Sequence, residues 1–283
     1  MAEATETRDM LLGELRAADR DRYLATLLSP EDKRHALAAL YGFNAELARV
    51  RERVSEPLPG EVRLQYWRDL IEGESHGETE ANPLAAALME TIHAHNLPRR
   101  ALVGMTEARI FDLYDDPMSS TTDFEGYAGE TASALIQLAS LVLDSATAAT
   151  HSDSAGHGGV AQAVAGALLL MPRHRAAGQV FVPADILGAT GLDRETFLIG
   201  SDSERVGHAV RAFAAFGREH LAKFRAAGRL PASLVPAYLP MSVSENVLVK
   251  AEALGENVFA QPLIAPQWRR QLGMMRSLLF RKL

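Results

Sequence analysis

Apolar residues recur at helical spacing through almost the whole of this 283-residue chain, and strand-like alternation is nearly absent. A chain patterned this way can bury its apolar stripes only by packing helix on helix, so the sequence predicts an all-α bundle. Proline and glycine divide the pattern. Ser29-Pro30-Glu31-Asp32 predicts a helix start, with Ser29 as N-cap, Pro30 in the first position and two acids at the positive end of the dipole. That helix should run through HALAALYGFNAELARVRERV and stop before Pro57 and Pro59. Further helices are expected over 61–73, 83–95, 98–116 and 122–143. HSDSAGHGG reads as a flexible joint, its Gly156-His157-Gly158-Gly159 alternatively offering backbone N–H groups to an anion. Gly159 should then open a small-residue helix ending near Pro172. VFVPADILGATGL reads as a loop with one short turn, and helices should follow over 201–227 and 266–281. No repeat or low-complexity linker divides the chain, so 1–283 reads as one domain, with 1–20 flexible and 266–283 a basic amphipathic helix.

An apolar share of 47% supplies a sizeable core. The absence of cysteine excludes disulfides, thiolate zinc sites and cysteine nucleophiles. A net charge of −7 argues against a partner that is nucleic acid. The first residues mix acids and bases and lack the apolar core of a signal peptide. The longest uncharged run, Val160 to Met171, is too short to span a bilayer and suits a buried helix. The expected place is the cytoplasm, with peripheral contact on the inner face of the membrane as an option.

Several residues invite a chemical reading. Asp112, Asp115 and Asp116 are spaced to share one helix face, as Mg²⁺ ligands or as a solvated acidic face. His93 and His95 would point to opposite sides of a helix and cannot chelate one ion. His151 and His157 fall in the expected joint and should be solvated. Trp67, with Leu64 and Ile71 at core spacing, should be a packing residue, while Arg63 and Arg68 face an anion or solvent. No P-loop, G-x-G-x-x-G or Ser-His-Asp order is present.

Taken in order, ALYGFNAEL, RLQYWRDLIEG, DLYDDPMSSTTDFEGYAGETASAL and GVAQAVAGALLLMPRHRAAGQVFVPADIL resemble the squalene/phytoene synthase family. The resemblance runs from about Arg22 to Arg276; it keeps the family's Asp112–Tyr127 separation and has no gap from Gly159 to Pro183. It implies an isoprenoid-synthase-like helical bundle with a central cavity, of the kind that joins two prenyl diphosphates head to head. The NAELARVRERVSEPLPGEVRLQYWRDLIEG segment looks nearest the branch of the family that contains complex I (NADH dehydrogenase) assembly factor 6 and its bacterial homologues.

The family's catalytic acids do not carry over. Where its first D-D-x-x-D falls, this chain has Ala48-Arg49-Val50-Arg51-Glu52. Its second motif falls on Gly166, Leu169, Leu170, Arg173 and His174. In the family these acids hold Mg²⁺ against diphosphate; beside unpaired arginines the ion would be repelled. Arg49, Arg51, Glu52, Arg173 and His174 are thus expected to meet on one cavity wall, either as a metal-free anion site or neutralised by Glu46 and Glu52. Asp112, Asp115, Asp116 and Tyr127 are secondary candidates.

The resemblance therefore implies a protein with no catalytic or metal residue in these motifs and no cofactor. Its partner would be a protein, such as a respiratory-complex subunit, with an isoprenoid or prenyl diphosphate as a further ligand. The alternative is an active squalene- or phytoene-type transferase with an altered site, using Mg²⁺ and farnesyl or geranylgeranyl diphosphate. A third reading is a membrane-surface helical module: Trp268, Leu272, Met275, Leu279 and Leu283 form an apolar stripe beside Arg269, Arg270, Arg276, Arg281 and Lys282. Such a stripe either meets an anionic membrane or packs on the core.

Overall fold

The computed structural model describes residues 2–74, 82–281 and 283, and among them there is no strand. The helices are α1 (Ala2–Ala18), α2 (Arg20–Leu27), α3 (Arg34–Ala48), α4 (Pro57–Glu72), α5 (Pro83–His95), α6 (Arg99–Ala108), α7 (Thr121–Ala128), α8 (Ala134–Leu143) and α9 (Ser145–Ala148). They continue with α10 (Ser152–Ala176), α11 (Ala184–Ala189), α12 (Arg194–Ile199), α13 (Ser203–Ala226), α14 (Val235–Tyr238), α15 (Ser244–Leu254) and α16 (Gln267–Phe280). A π-helical turn, Gly129–Ser133, joins α7 to α8, so the expected helix over 122–143 is present with one bulge in it.

Local signals explain many of these boundaries. Asn82 caps α5 and Pro83 takes its first position, while Asn96 closes it in the left-handed region. Pro57 does not stop a helix but opens α4, where its missing N–H costs nothing. Ser29 is not an N-cap: its hydroxyl donates back to the Ala25 carbonyl, and the chain enters α3 through a 3₁₀ turn, Glu31–Lys33. The expected helix over 98–116 ends early, at Ala108, and is followed by a 3₁₀ turn, Phe111–Leu113.

α10 is the central helix, packed on α13, α15, α8 and the π-helical turn. By length and composition it could cross a membrane, but most of its apolar stretch is buried inside the fold. Its first two turns contain HSDSAGHGG, so that segment is helix, not a flexible joint. The glycines serve close approach. A Cβ on Gly159 would fall inside contact distance of Ser133 N, Cα and Oγ, and one on Gly158 would press on Met241 and Phe224. The Ser133 hydroxyl donates to the Gly156 carbonyl across the same junction. Pro172 lies within α10 instead of ending it, and the helix stops only at Gly178, whose φ is +76°.

The buried core is continuous from Leu11 on α1 to Met274 on α16. Residues 1–20, expected to be flexible, thus include a helix anchored by Leu11 and Leu15 against α3. At the other end, α16 buries Met274 and Ser277 and turns Trp268, Leu272, Met275 and Leu279 to solvent. Leu283 leaves that stripe because Arg281 adopts a left-handed conformation, and it packs on the core. Lys282 lies outside the described residues.

The Gly159 junction makes a test. Gly159→Ala should destabilise the protein by about 3 kcal/mol or more through overpacking against backbone. Gly166→Ala, where a Cβ meets nothing, should be neutral or stabilising by up to about 1 kcal/mol. Urea unfolding of the two variants beside the wild type would show the contrast.

Candidate functional site

The positions that align with the family's acid motifs fall at the end of α3 and along the C-terminal part of α10, from Gly166 to His174. Beyond Ala48 the chain passes Arg49 into a 3₁₀ turn, Arg51–Arg53. The last turn of α10 carries Arg173, His174 and Arg175 at the negative end of its dipole, where cations are favoured and carboxylates are not.

Arg173 and Glu52 bring the two stretches together, with Nη2 2.8 Å from Oε1. Arg51 reaches Asp115 at 3.4 Å, and Glu46 accepts a two-pronged bond from Arg53. Arg49 is half-buried at the end of α3 and does not take part in these pairs. The Glu52–Arg173 pair is half exposed, so it adds at most ~1 kcal/mol of stability. Its effect is to fill the space between the two stretches with a side-chain cation.

His174 turns away from that pair. Its ring lies on Phe181, with centroids 4.4 Å apart, and its Nδ1 is buried without a hydrogen-bond partner. Burial, opposed by Asp112 and reinforced by Arg173, lowers its pKa to about 4. The imidazole is neutral at physiological pH. Arg175 is occupied structurally: it donates to the carbonyls of Leu198 and Ile199 and lies 4.6 Å over the Phe259 ring.

The three aspartates do not share a helix face, because α6 has already ended and Tyr114 is extended. Asp112 is buried, while Asp115 and Asp116 are exposed. The Asp112 carboxylate accepts from Tyr127 Oη at 2.8 Å and from Arg109 Nη1 at 2.8 Å, and Arg109 also donates to Tyr127 Oη at 2.9 Å. Burial, with the Asp112 carboxylate adjacent, raises the Tyr127 phenol well above its ordinary pKa and keeps it protonated. Gln179 Nε2 donates to the Asp112 carbonyl, and Arg194 bridges the carbonyls of Asp115 and Gly178. The triad therefore anchors the ordered loop after α10.

Among the described residues no three His, Asp or Glu side chains gather into a group able to hold a metal ion. Glu52 is engaged by Arg173 and Asp115 by Arg51, so these positions do not fit the Mg²⁺ cluster that the family resemblance implies.

A cavity of about 1010 Å³ opens between α6 and α7, with Val103, Gly104, Ala108, Phe111 and Met118 among its lining residues. Tyr127 lines it, while Arg49, Arg51, Glu52, Arg173 and His174 lie outside its lining. A series of ring contacts, His174–Phe181–Phe111–Tyr127, stands between the cavity and the former acid positions.

One polar cluster is absent from the sequence reading. His157, on α10 and not in a solvated loop, has Nδ1 3.2 Å from His220 Nδ1, and His220 Nε2 lies 2.9 Å from Glu125 Oε1. Burial, partly offset by Glu125, lowers the His220 pKa. The signal was available: Val206, Val210, Phe213, Gly217, His220 and Phe224 follow one another at steps of four and three, so His220 sits on the buried stripe of α13. Phe124, Phe213 and Phe216 fill the interior beside it. His151 is likewise engaged, its Nδ1 3.0 Å from the Thr147 carbonyl.

An all-helical bundle wound around one central helix, with this loop closing its end, is the fold of isoprenoid synthases. Squalene synthase HpnC from Alicyclobacillus acidocaldarius shares it with a TM-score of 0.66 over 96% of each chain, at 18% identity. Residues 15–276 match squalene/phytoene synthase, and the chain belongs to that family. It is 33% identical over 247 residues to NADH dehydrogenase (ubiquinone) complex I, assembly factor 6 of Rattus norvegicus, covering 87% of this chain and 74% of that protein. The Homo sapiens assembly factor 6 is 31% identical over the same coverage.

Two substitutions test the site's physics. Asp112→Asn leaves Arg109 buried without its counter-charge and should cost about 3 kcal/mol in urea unfolding. For His174, the unfolded chain binds a proton below pH 6.5 that the folded chain refuses until about pH 4, so stability falls with pH across that window. His174→Phe keeps the ring on Phe181 and removes this titration. The variant should gain about 3 kcal/mol on the wild type between pH 6.5 and pH 4, and stability curves at several pH values would measure the difference.

Proposed function

We propose that this chain is a non-catalytic member of the squalene/phytoene synthase family that acts in the assembly of respiratory complex I by binding a protein partner. The observation that carries the reading is the Glu52–Arg173 salt bridge, which puts a guanidinium where the family resemblance calls for Mg²⁺ between two acidic motifs. A fixed side-chain cation can pair with one carboxylate, but it cannot gather several acids around a diphosphate or offer open coordination positions to the leaving group. The likeness to the assembly factors over 87% of the chain supports the biological setting.

The cavity beside Tyr127 suits an apolar ligand such as an isoprenoid chain. Its walls are largely aliphatic and aromatic, and Glu107, Asp123 and Glu130 lie around it with Arg100 as the one cationic lining residue. A diphosphate would be repelled there, which separates this cavity from one built for ionisation of a prenyl diphosphate.

Purified protein given Mg²⁺ with farnesyl or geranylgeranyl diphosphate should release no diphosphate and form no squalene or phytoene. Directed to mitochondria of human cells lacking assembly factor 6, it should raise the level of assembled complex I on native gels. Diphosphate release at an enzyme-like rate, abolished by the surface substitution Asp115→Ala, would establish an active transferase with an altered site instead.

A further inference from the structure

α16 turns more of its large apolar side chains to solvent than to the bundle. An amphipathic helix at the surface of a globular protein turns its apolar face inward. Here the inward face is short on apolar residues: Met274 and Leu278 share it with Ser277 and Arg270, and Arg270 pairs with Asp21 on α2. Opposite that face, Trp268, Leu272, Met275 and Leu279 form a stripe at helical spacing, and Trp268 is 60% and Leu279 74% exposed. Phe280, 55% exposed, widens it at the C-terminal end. Solvent contact along a whole row of large apolar side chains is unfavourable and marks an interaction surface.

The charges around the stripe say what covers it. Arg269, Arg276 and Arg281 are exposed, and the Arg269 guanidinium lies 5.1 Å from the Trp268 ring. No acidic residue follows Glu256 in the sequence, although the chain as a whole carries 36 acids against 29 basic residues. Arg20 and Arg229 stand next to the helix, donating to the Gln267 side chain and the Phe280 carbonyl. A long apolar row flanked by arginines, with a tryptophan at one end and no acid among them, matches the layers of an anionic bilayer: acyl chains below, phosphates at the level of the guanidiniums.

We propose that α16 is a membrane-docking helix that lies in the headgroup region of an anionic lipid surface, its Trp268–Leu279 row among the acyl chains and Arg269 and Arg276 on lipid phosphates. The bundle then sits on the membrane with α2 and α14, which α16 covers, on its membrane-proximal side. The inference is independent of whether the chain retains prenyltransferase activity or works in complex I assembly.

The full chain is mixed with vesicles of phosphatidylcholine alone or with one third phosphatidylglycerol, and bound protein is sedimented. Binding is expected to the anionic vesicles at low salt and to fall as salt rises. Each arginine on the surface is worth about fivefold in partitioning, so Arg269→Glu with Arg276→Glu should weaken binding at least tenfold. Leu272→Ser with Leu279→Ser should weaken it similarly; these side chains are exposed, so unchanged thermal melting will show that the fold is kept. Trp67 is buried and Trp268 is not, so lipid binding should also shift the tryptophan emission to shorter wavelength, a change lost in Trp268→Phe. The proposal is overturned if the wild type stays in solution with anionic vesicles at low salt, or if the serine pair binds as well as the wild type. It is equally overturned if the wild type forms dimers that the serine pair abolishes, since the occupant of the stripe would then be a second copy of the chain.

Discussion

Where α10 crosses the π-helical turn, Gly159 lies against the Ser133 backbone with no room for a methyl group, and the Ser133 hydroxyl closes onto the Gly156 carbonyl. A similar fit recurs at Gly217 on α13, which faces Val164 of α10 and Leu248 of α15. These approaches draw the longest helices together and leave the interior to be filled by Phe124, Phe213 and Phe216. Glu130 lies on the bulge, and Glu125 and Tyr127 lie on α7 before it. The bulge adds a residue to the turn and so sets the direction of the side chains of α8 relative to those of α7.

The end of α10 shows how electrostatics shapes the rest. Its unsatisfied carbonyls and dipole make the last turn a poor place for carboxylates and a good one for cations. A family site that keeps acids there needs metal to hold them. In this chain Arg173 meets Glu52 directly, Arg175 caps α12, and His174 stays uncharged in an apolar setting against Phe181. The ordered loop from Gly178 to Asp185 is held by its own bonds to Asp112, Met118 and Thr121.

Much of the fold was legible from one-dimensional signals. α5 could be bounded closely because stripe, cap and proline agree there, and α13 and α16 to within a residue or two because the stripe is reinforced by a capping aspartate in one and a leading proline in the other. The first turns of α10 could not, since glycine lowers helix propensity and only a neighbour elsewhere in the chain makes its lack of a side chain an advantage. Pro57 and Pro172 are ambiguous in sequence for a related reason: proline tells where an N–H is missing, not whether that position needed one. The site was readable as a set of residues but not as a set of pairs. Arg173 and Glu52 could be named, yet their partnership depends on how two helix ends meet, as does that of Arg51 with Asp115. His157 and His220 are 63 positions apart, and nothing local joins them.

Pro172 gives the last turn of α10 a mechanical character of its own. Without an N–H it cannot bond to the Leu168 carbonyl, so the ladder of bonds along the helix has a missing rung just before Arg173. Beyond that gap the turn is fastened sideways: to the segment after α3 through Glu52, to the loop through Phe181, and to α12 through Arg175. The last turn of α10 is therefore held in place by ties to its neighbours where its own ladder is interrupted, and loss of those ties would fray it before the turns nearer the Gly159 crossing.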